Sequence, residues 1–337
     1  MSIDTPAPSA SAVPSYAELP VSPNAPSGSS WGVWGERDHF GCLNLLTPAR
    51  AVRGAGCVRT GRVHCVSLEL ELPDPPLFGR PAFQHEIVQR PTGMTADDML
   101  HGWNTQSSSQ WDGFRHVRSV IHGAYSGLPE GEHGVHYWAR KGIVGRGVLA
   151  DVARWRAAQG RPVKPSTRDV ITPADLLATL ASQGTTVETG DILLVRTGWL
   201  AFYRGLDHDG RASYAQSHEA VGLDASEAMA ACLWDLHISC LGLDNPAIEA
   251  WPPPMFAMSG EDRAEALARS GDASVAAGLF LHLQLLPLLG LPLGELFDLD
   301  SLAEDCAQAA SYDFLVTSAP LNLLHGVATP PNILAVR

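Results

Sequence analysis

The sequence predicts a mixed α/β fold in a single domain. Three observations carry that expectation. Segments with helix and strand signatures alternate along the chain without a strict βαβ period. No internal repeat interrupts them. The 337 residues, 45% hydrophobic and 18% charged, suffice for one large buried core.

The elements follow in order. Residues 1–30 are rich in Pro, Ser and Ala, which predicts a flexible leader; the domain is expected to span 31–337. In "LNLLTPARAVRGAGCV", Thr47 suits an N-cap and Pro48 a first helical position. "RVHCVSLELEL" alternates and predicts a strand, as does "FQHEIVQR". The stretch 99–116 is expected to be a loop leading into "GFRHVRSVIHGAY". "RGVLADV" and "GDILLVRTGW" are short apolar runs suited to core strands, and between them "TPADLLATLASQG" has a Thr-Pro start and a Gly stop for a helix. "SEAMAACLWDLHISCLGLDNP" reads as a helix feeding a strand and a turn. "LHLQLLPLLG" and "SLAEDCAQAA" read as helices, and "YDFLVTSAPLNL" as a final strand.

A formal charge of −13, with no basic stripe to offset it, argues against a nucleic-acid partner. The apolar stretch 275–294 is broken by His282, Gln284, two prolines and glycines, so no membrane span is expected. Six cysteines without a CxxC pair, and an N-terminus lacking a secretory pattern, predict reduced thiols and a cytoplasmic protein.

Chemistry is concentrated in "MLHGWNTQSSSQWDGFRH", residues 99–116. Gln106, Gln110, Asp112 and His116 crowd together there, hemmed by Trp103, Trp111 and Phe114. Polar groups buried among aromatic residues must be paired or liganded. The alternatives are a hydrogen-bonded turn and a pocket wall carrying one carboxylate and one imidazole. His282 stands alone on an apolar helix, where a core role is the ordinary reading. Glu295, between "PLG" and "LFDL", wants a cation or a donor. His133 and His136 form an HxxH beside Glu130 and Glu132, but Gly-rich surroundings suggest a loop. His39, His64, His85, His208 and His218 are read as structural or solvated, and His237 as a helix-end residue.

These residues carry a resemblance to the cyclase superfamily of metal-dependent amide hydrolases, which includes bacterial kynurenine formamidase and isatin hydrolase. The family pattern is HxGTHxDxPxH, and "QSSSQWDGFRH" is similar to it, with Gln106 and Gln110 at the two leading histidines and Phe114 at the proline. His282 and Glu295 resemble the family's later His and Glu, with one extra residue between them. "WGERDHFGCLNLLTPAR", "KGIVGRGVLADV", "GDILLVRTGW", "CLGLDNPAIEAWPPP" and "LGLPLGELFDLDSLA" resemble segments of its longer branch, so the likeness covers about residues 31–337.

The resemblance implies a swivelling β/β/α domain, a homodimer or homotetramer, sites near subunit contacts, and zinc or manganese. Asp112, His282 and Glu295 match metal ligands, and His116 matches the acid–base histidine. Exchanging two imidazoles for amides weakens a zinc site, leaves Gln106 and Gln110 as possible oxygen donors, and shifts preference toward manganese or magnesium. The first expectation is a metal-dependent hydrolase opening a cyclic or aryl amide, imide or lactone. The second drops the metal: Gln106 and Gln110 donate to a substrate carbonyl, and His116 with Asp112, or Glu295 with His282, supplies acid–base pairs for cyclisation, dehydration or isomerisation of a natural-product intermediate. The third is a non-catalytic binder of a small aromatic molecule using Trp103, Trp111 and Trp199, with His122 and Tyr125 as further pocket candidates.

Overall fold

The computed structural model describes residues 13–129 and 131–337. Its strands are β1 (Val63–Cys65), β2 (Gln84–Gln89), β3 (Ala96–His101), β4 (Gln110–Asp112), β5 (Ile143–Asp151), β6 (Val170–Ile171), β7 (Ile192–Arg196), β8 (Gly222–Leu223), β9 (Cys240–Leu243), β10 (Leu293–Glu295), β11 (Asp313–Ser318), β12 (Ala328–Thr329) and β13 (Ile333–Val336). Nine of them form one mixed sheet in the order β1-β13-β11-β5-β7-β9-β10-β4-β12. Its centre, β5-β7-β9-β10, is parallel, and the pairs outside it are antiparallel. Parallel strands need long crossovers. Helices occupy those crossovers, among them Pro173–Ser182 before β7 and Glu227–Asp235 before β9.

The mixed α/β fold is as the sequence predicts. The central strands read as apolar runs because both of their faces are covered; Ile192 through Val195 are fully buried. Thr172 and Asp175 cap the helix Pro173–Ser182 reciprocally. Thr47 does stand at the N-cap of the helix Pro48–Ala55, but its side chain makes no cap bond.

Several local expectations fail for identifiable reasons. The leader is not free over its second half: Trp234 Nε1 donates to the Pro14 carbonyl, Gln284 Nε2 to that of Gly28, and Ser29 and Ser30 are fully buried. The leader's residues 1–12 and Glu130 lie outside the described residues. Of "RVHCVSLELEL" only Val63–Cys65 is strand, since the chain then leaves β13 and Leu68 N bonds Ser109 Oγ at 2.8 Å. The expected loop over 99–116 holds the end of β3 and all of β4. The helix expected across 281–290 stops at Leu285, two residues before Pro287, which has no amide proton to give. The strand at Asp313–Ser318 is not the last, because β12 and β13 follow it.

All six cysteines are free. Among the described residues, no helix is long and apolar enough to cross a membrane.

Candidate active site

The pairing of β4 with β10 builds one wall of the site. Residues two apart on a strand share a face, and residues opposite one another in an antiparallel pair do too. Gln110 and Asp112 therefore point the same way. Glu295 is registered opposite Gln110 and joins them. Trp111 points to the other face, where it packs edge-on against Phe297 and its Nε1 reaches Ser318 Oγ at 3.0 Å. Gly294, opposite Trp111, makes room for that packing: a Cβ there would lie 2.4 Å from Phe297 and 2.8 Å from Trp111. Leu296, next to Glu295, takes φ of 56°. A branched residue in the left-handed region is strained, and such strain is held only where surrounding structure fixes it. Its amide bonds the Asn245 carbonyl and its carbonyl accepts from Ser109.

The helix Leu281–Leu285 delivers His282 to that wall. Its ring stacks on Phe280, with centroids 4.4 Å apart. Nδ1 lies 2.9 Å from Glu249 and Nε2 lies 3.2 Å from Glu295 and 4.0 Å from Asp112. Burial works against a charge on His282, but Glu249 and then Glu295 outweigh it and hold its pKa well above the ordinary histidine value. For Glu295 the balance runs the other way. Burial, then the nearby Asp112 carboxylate, push it up to about 7 against the opposing pull of His282.

The two glutamines sit against these carboxylates. Gln110 Nε2 donates to Glu295 at 2.6 Å and faces both Asp112 oxygens at 3.5 Å, while its Oε1 lies 3.5 Å from Arg80 Nη1. Gln106 Nε2 donates to Asp112 at 2.8 Å and to His116 Nδ1 at 2.9 Å. A carboxylate can only accept, so it orients the amide. The amide in turn makes His116 Nδ1 an acceptor and leaves the ring proton on Nε2. Burial lowers the His116 pKa, opposed by Asp112, so the ring is neutral near pH 7. Gln110 is expected to turn an oxygen to a metal; in this structure its nitrogen faces the carboxylates.

Asp112, His282 and Glu295 fit a divalent cation. All three are buried, and their ligand atoms lie within 4.8 Å of one another. Glu249 stands behind His282 as a carboxylate behind a ligating imidazole does, fixing ring and tautomer. Two carboxylates face each other with one imidazole between them. Such a donor set gains from a further positive charge.

His116, His282 and Glu295 line a cavity of about 490 Å³ together with the aromatic residues Phe78, Trp251, Phe256 and Phe280. Thus the segments around 106–116 and 282–295, distant in sequence, meet in one cavity. The aromatic wall differs from expectation. Trp111 and Trp199 are fully buried in the core, as is Tyr125, and His122 turns to the Gly271 carbonyl. His218, read as structural, lines the cavity with its ring 5.0 Å from Phe78. His133 is held by the Tyr125 carbonyl, and His136 by the amide of His325. His64 and His85, read as structural or solvated, lie 3.0 Å from Asp305 and 2.7 Å from Asp98.

Sequence reading missed Glu249 and Arg80. Glu249 offers a faint signal, a lone carboxylate in the apolar "NPAIEAW". Arg80 offers none, since one arginine in a Gly-Pro loop is ordinary.

The cyclase family model matches residues 60–250 of the chain. Among solved structures, one described as a novel cyclase is 27% identical over 92% of this chain and 99% of its own, with a TM-score of 0.73. Isatin hydrolase A from Labrenzia aggregata, solved bound to benzyl benzoate, is 17% identical over 85% of this chain and 97% of its own, with a TM-score of 0.52. Isatin hydrolase A from Ralstonia solanacearum is 15% identical over 86% and 98%, with a TM-score of 0.54. At those identities the isatin hydrolases share the fold alone. No curated protein matches the chain. With more than half its length matched by the family model and the fold reproduced in solved relatives, this chain belongs to the cyclase family.

Proposed function

We propose that this protein is a metal-dependent hydrolase that opens a cyclic or aryl amide, imide or lactone. One observation carries the reading: Asp112, His282 and Glu295 converge, buried, and His282 and Glu295 line a cavity rich in aromatic rings. Manganese or zinc is the expected ion, with the carboxylates favouring the harder one. A bound ion supplies Lewis-acid polarisation of the scissile carbonyl and lowers the pKa of a water.

The chain's own residues do the rest. Phe78, Trp251 and Phe280 hold a flat substrate against the carboxylates and exclude water. Glu249 keeps the His282 ring oriented. His116 accepts a proton from the attacking water and returns it to the leaving nitrogen or oxygen, so that the C–N or C–O bond breaks as the new C–O bond forms. To accept that proton at Nε2, His116 must carry its own proton on Nδ1, which requires the Gln106 amide to turn its oxygen to the ring. A homodimer or homotetramer is part of the proposal.

The orientation of the amides favours a second reading. With both glutamine nitrogens on the carboxylates, His116 presents Nε2–H to the cavity as a neutral donor, and Glu295, near pKa 7, is poised as a base. Such a site moves protons without metal, as in cyclisation, dehydration or isomerisation. Metal analysis of protein purified without chelator, then turnover of N-formylanilines, cyclic imides and aryl lactones before and after EDTA, decides between them. Turnover that survives complete metal removal ends the first reading.

A further inference from the structure

Arg80 enters the cavity from the loop before β2 and is used by neither reading. Its Nη1 donates to the Gln106 carbonyl and faces Gln110 Oε1, and its guanidinium carbon lies 5.3 Å from the Phe78 ring centre. Those contacts fix the direction of the head group. Among the described residues no carboxylate lies within salt-bridge distance, although Glu295 in the same cavity feels its charge, and neither Nε nor Nη2 has a hydrogen-bond partner among those residues. A half-buried guanidinium in a cavity lined by three histidines and several aromatic rings is therefore hydrogen-bonded on one edge only. The backbone is bent to put it there. Phe78, two residues earlier, holds φ of 59°, a conformation that bulky residues rarely adopt, and its ring sits edge-on to Trp251 at 4.8 Å. The loop thus presents one cation and one flat apolar face to the same space.

A planar guanidinium with a free edge matches a carboxylate, which it binds through two parallel hydrogen bonds. We propose that Arg80 anchors a carboxylate carried by an aromatic substrate or product, with the ring against Phe78 and Trp251. This rests on the cavity being the substrate site and names the substrate class more closely: an aryl amide, imide or lactone whose aromatic part itself carries a carboxylate, before opening or after it. Lysine could not replace the anchor in full, because its ammonium lacks the fork.

The probes are benzoate and benzamide, which share shape and differ in charge, titrated by calorimetry into the full-length protein. The wild type should prefer benzoate about tenfold or more, the ordinary difference for a charge-assisted pair. R80M should lose that preference while still binding benzamide, and R80K should keep part of it. Rising chloride should weaken benzoate binding to the wild type and leave benzamide unchanged, a comparison that stands even if R80M fails to fold. Equal affinity for the two probes in the wild type, no benzoate binding up to its solubility, or a preference that persists in R80M overturns the anchor. Binding is read here without turnover. A chain that selects benzoate through Arg80 yet hydrolyses nothing keeps the anchor and loses the hydrolase reading, and a hydrolase indifferent to Arg80 does the reverse.

Discussion

Glu249 and His282 form a buried ion pair behind the candidate metal ligands, with carboxylate and Nδ1 2.9 Å apart. Both side chains are almost wholly removed from water. The pair thus decides how His282 presents Nε2 to Asp112 and Glu295.

Removing that carboxylate should be costly in two measurable ways. Glu249→Ala strands a buried imidazolium and should lower stability by about 3–5 kcal/mol in urea melts. Glu249→Gln keeps the shape and loses the charge, and metal affinity should fall about 10–100-fold in chelator competition. Unchanged affinity in Glu249→Gln would show that His282 is no ligand.

Glu295 gives a pH dependence whose sign is fixed. Its pKa rises on folding from the ordinary carboxylate value to about 7, so the folded state holds a proton that the unfolded state releases. Metal-free protein should therefore lose stability as pH climbs from about 4.5 to about 7. Added manganese should reverse the loss at pH 7, and Glu295→Gln should flatten that part of the profile. Thermal melts across the range check both.

Restoring imidazoles at Gln106 and Gln110 tests what the amides do. The double histidine variant should bind zinc at least about tenfold more tightly than the wild type, since imidazole is much the better zinc donor. Competition with a fluorescent zinc chelator measures it, and equal affinity would place the two side chains away from any ion.

The tautomer of His116 separates the two functional readings. With Gln106 donating to Nδ1, the ring proton sits on Nε2, and nitrogen chemical shifts of the labelled ring should show Nδ1 as the unprotonated atom in metal-free protein. In Gln106→Glu the shorter list of donors should free Nδ1 to carry the proton. A wild-type ring protonated on Nδ1 from the start would favour hydrolysis as proposed.

Gly294→Ala probes the wall itself. The added Cβ overlaps Phe297 and Trp111, and overpacking of this kind costs about 1–3 kcal/mol. Because Gly294 precedes Glu295 in β10 and pairs with Trp111 of β4, activity should fall with stability. A variant as stable as the wild type would mean that the face opposite the site is loosely packed.

Much of the site was legible in the amino-acid order alone. Gln106, Gln110, Asp112 and His116 are close in sequence, and their density among aromatic residues marked them. His282 and Glu295 stood out as polar groups in apolar runs, and the family pattern joined the two halves. Central strands and the capped helix at Pro173–Ser182 were legible for a local reason: burial on both faces and capping each leave a short-range signature.

What the chain order determined by itself, then, was the mixed α/β fold, its core segments and the reactive side chains. Tertiary structure alone decided that Glu249 backs His282, that Arg80 reaches the cavity, and that its aromatic wall is Phe78, Trp251, Phe256 and Phe280 rather than Trp111 and Trp199. It also tied down residues 13–30 despite their Pro- and Ser-rich composition. The physical reason is common to all of these. Local pattern reports how a residue prefers to bend the chain and whether it shuns water, whereas a partner 33 residues away, as Glu249 is from His282, is chosen by strand register and crossover packing.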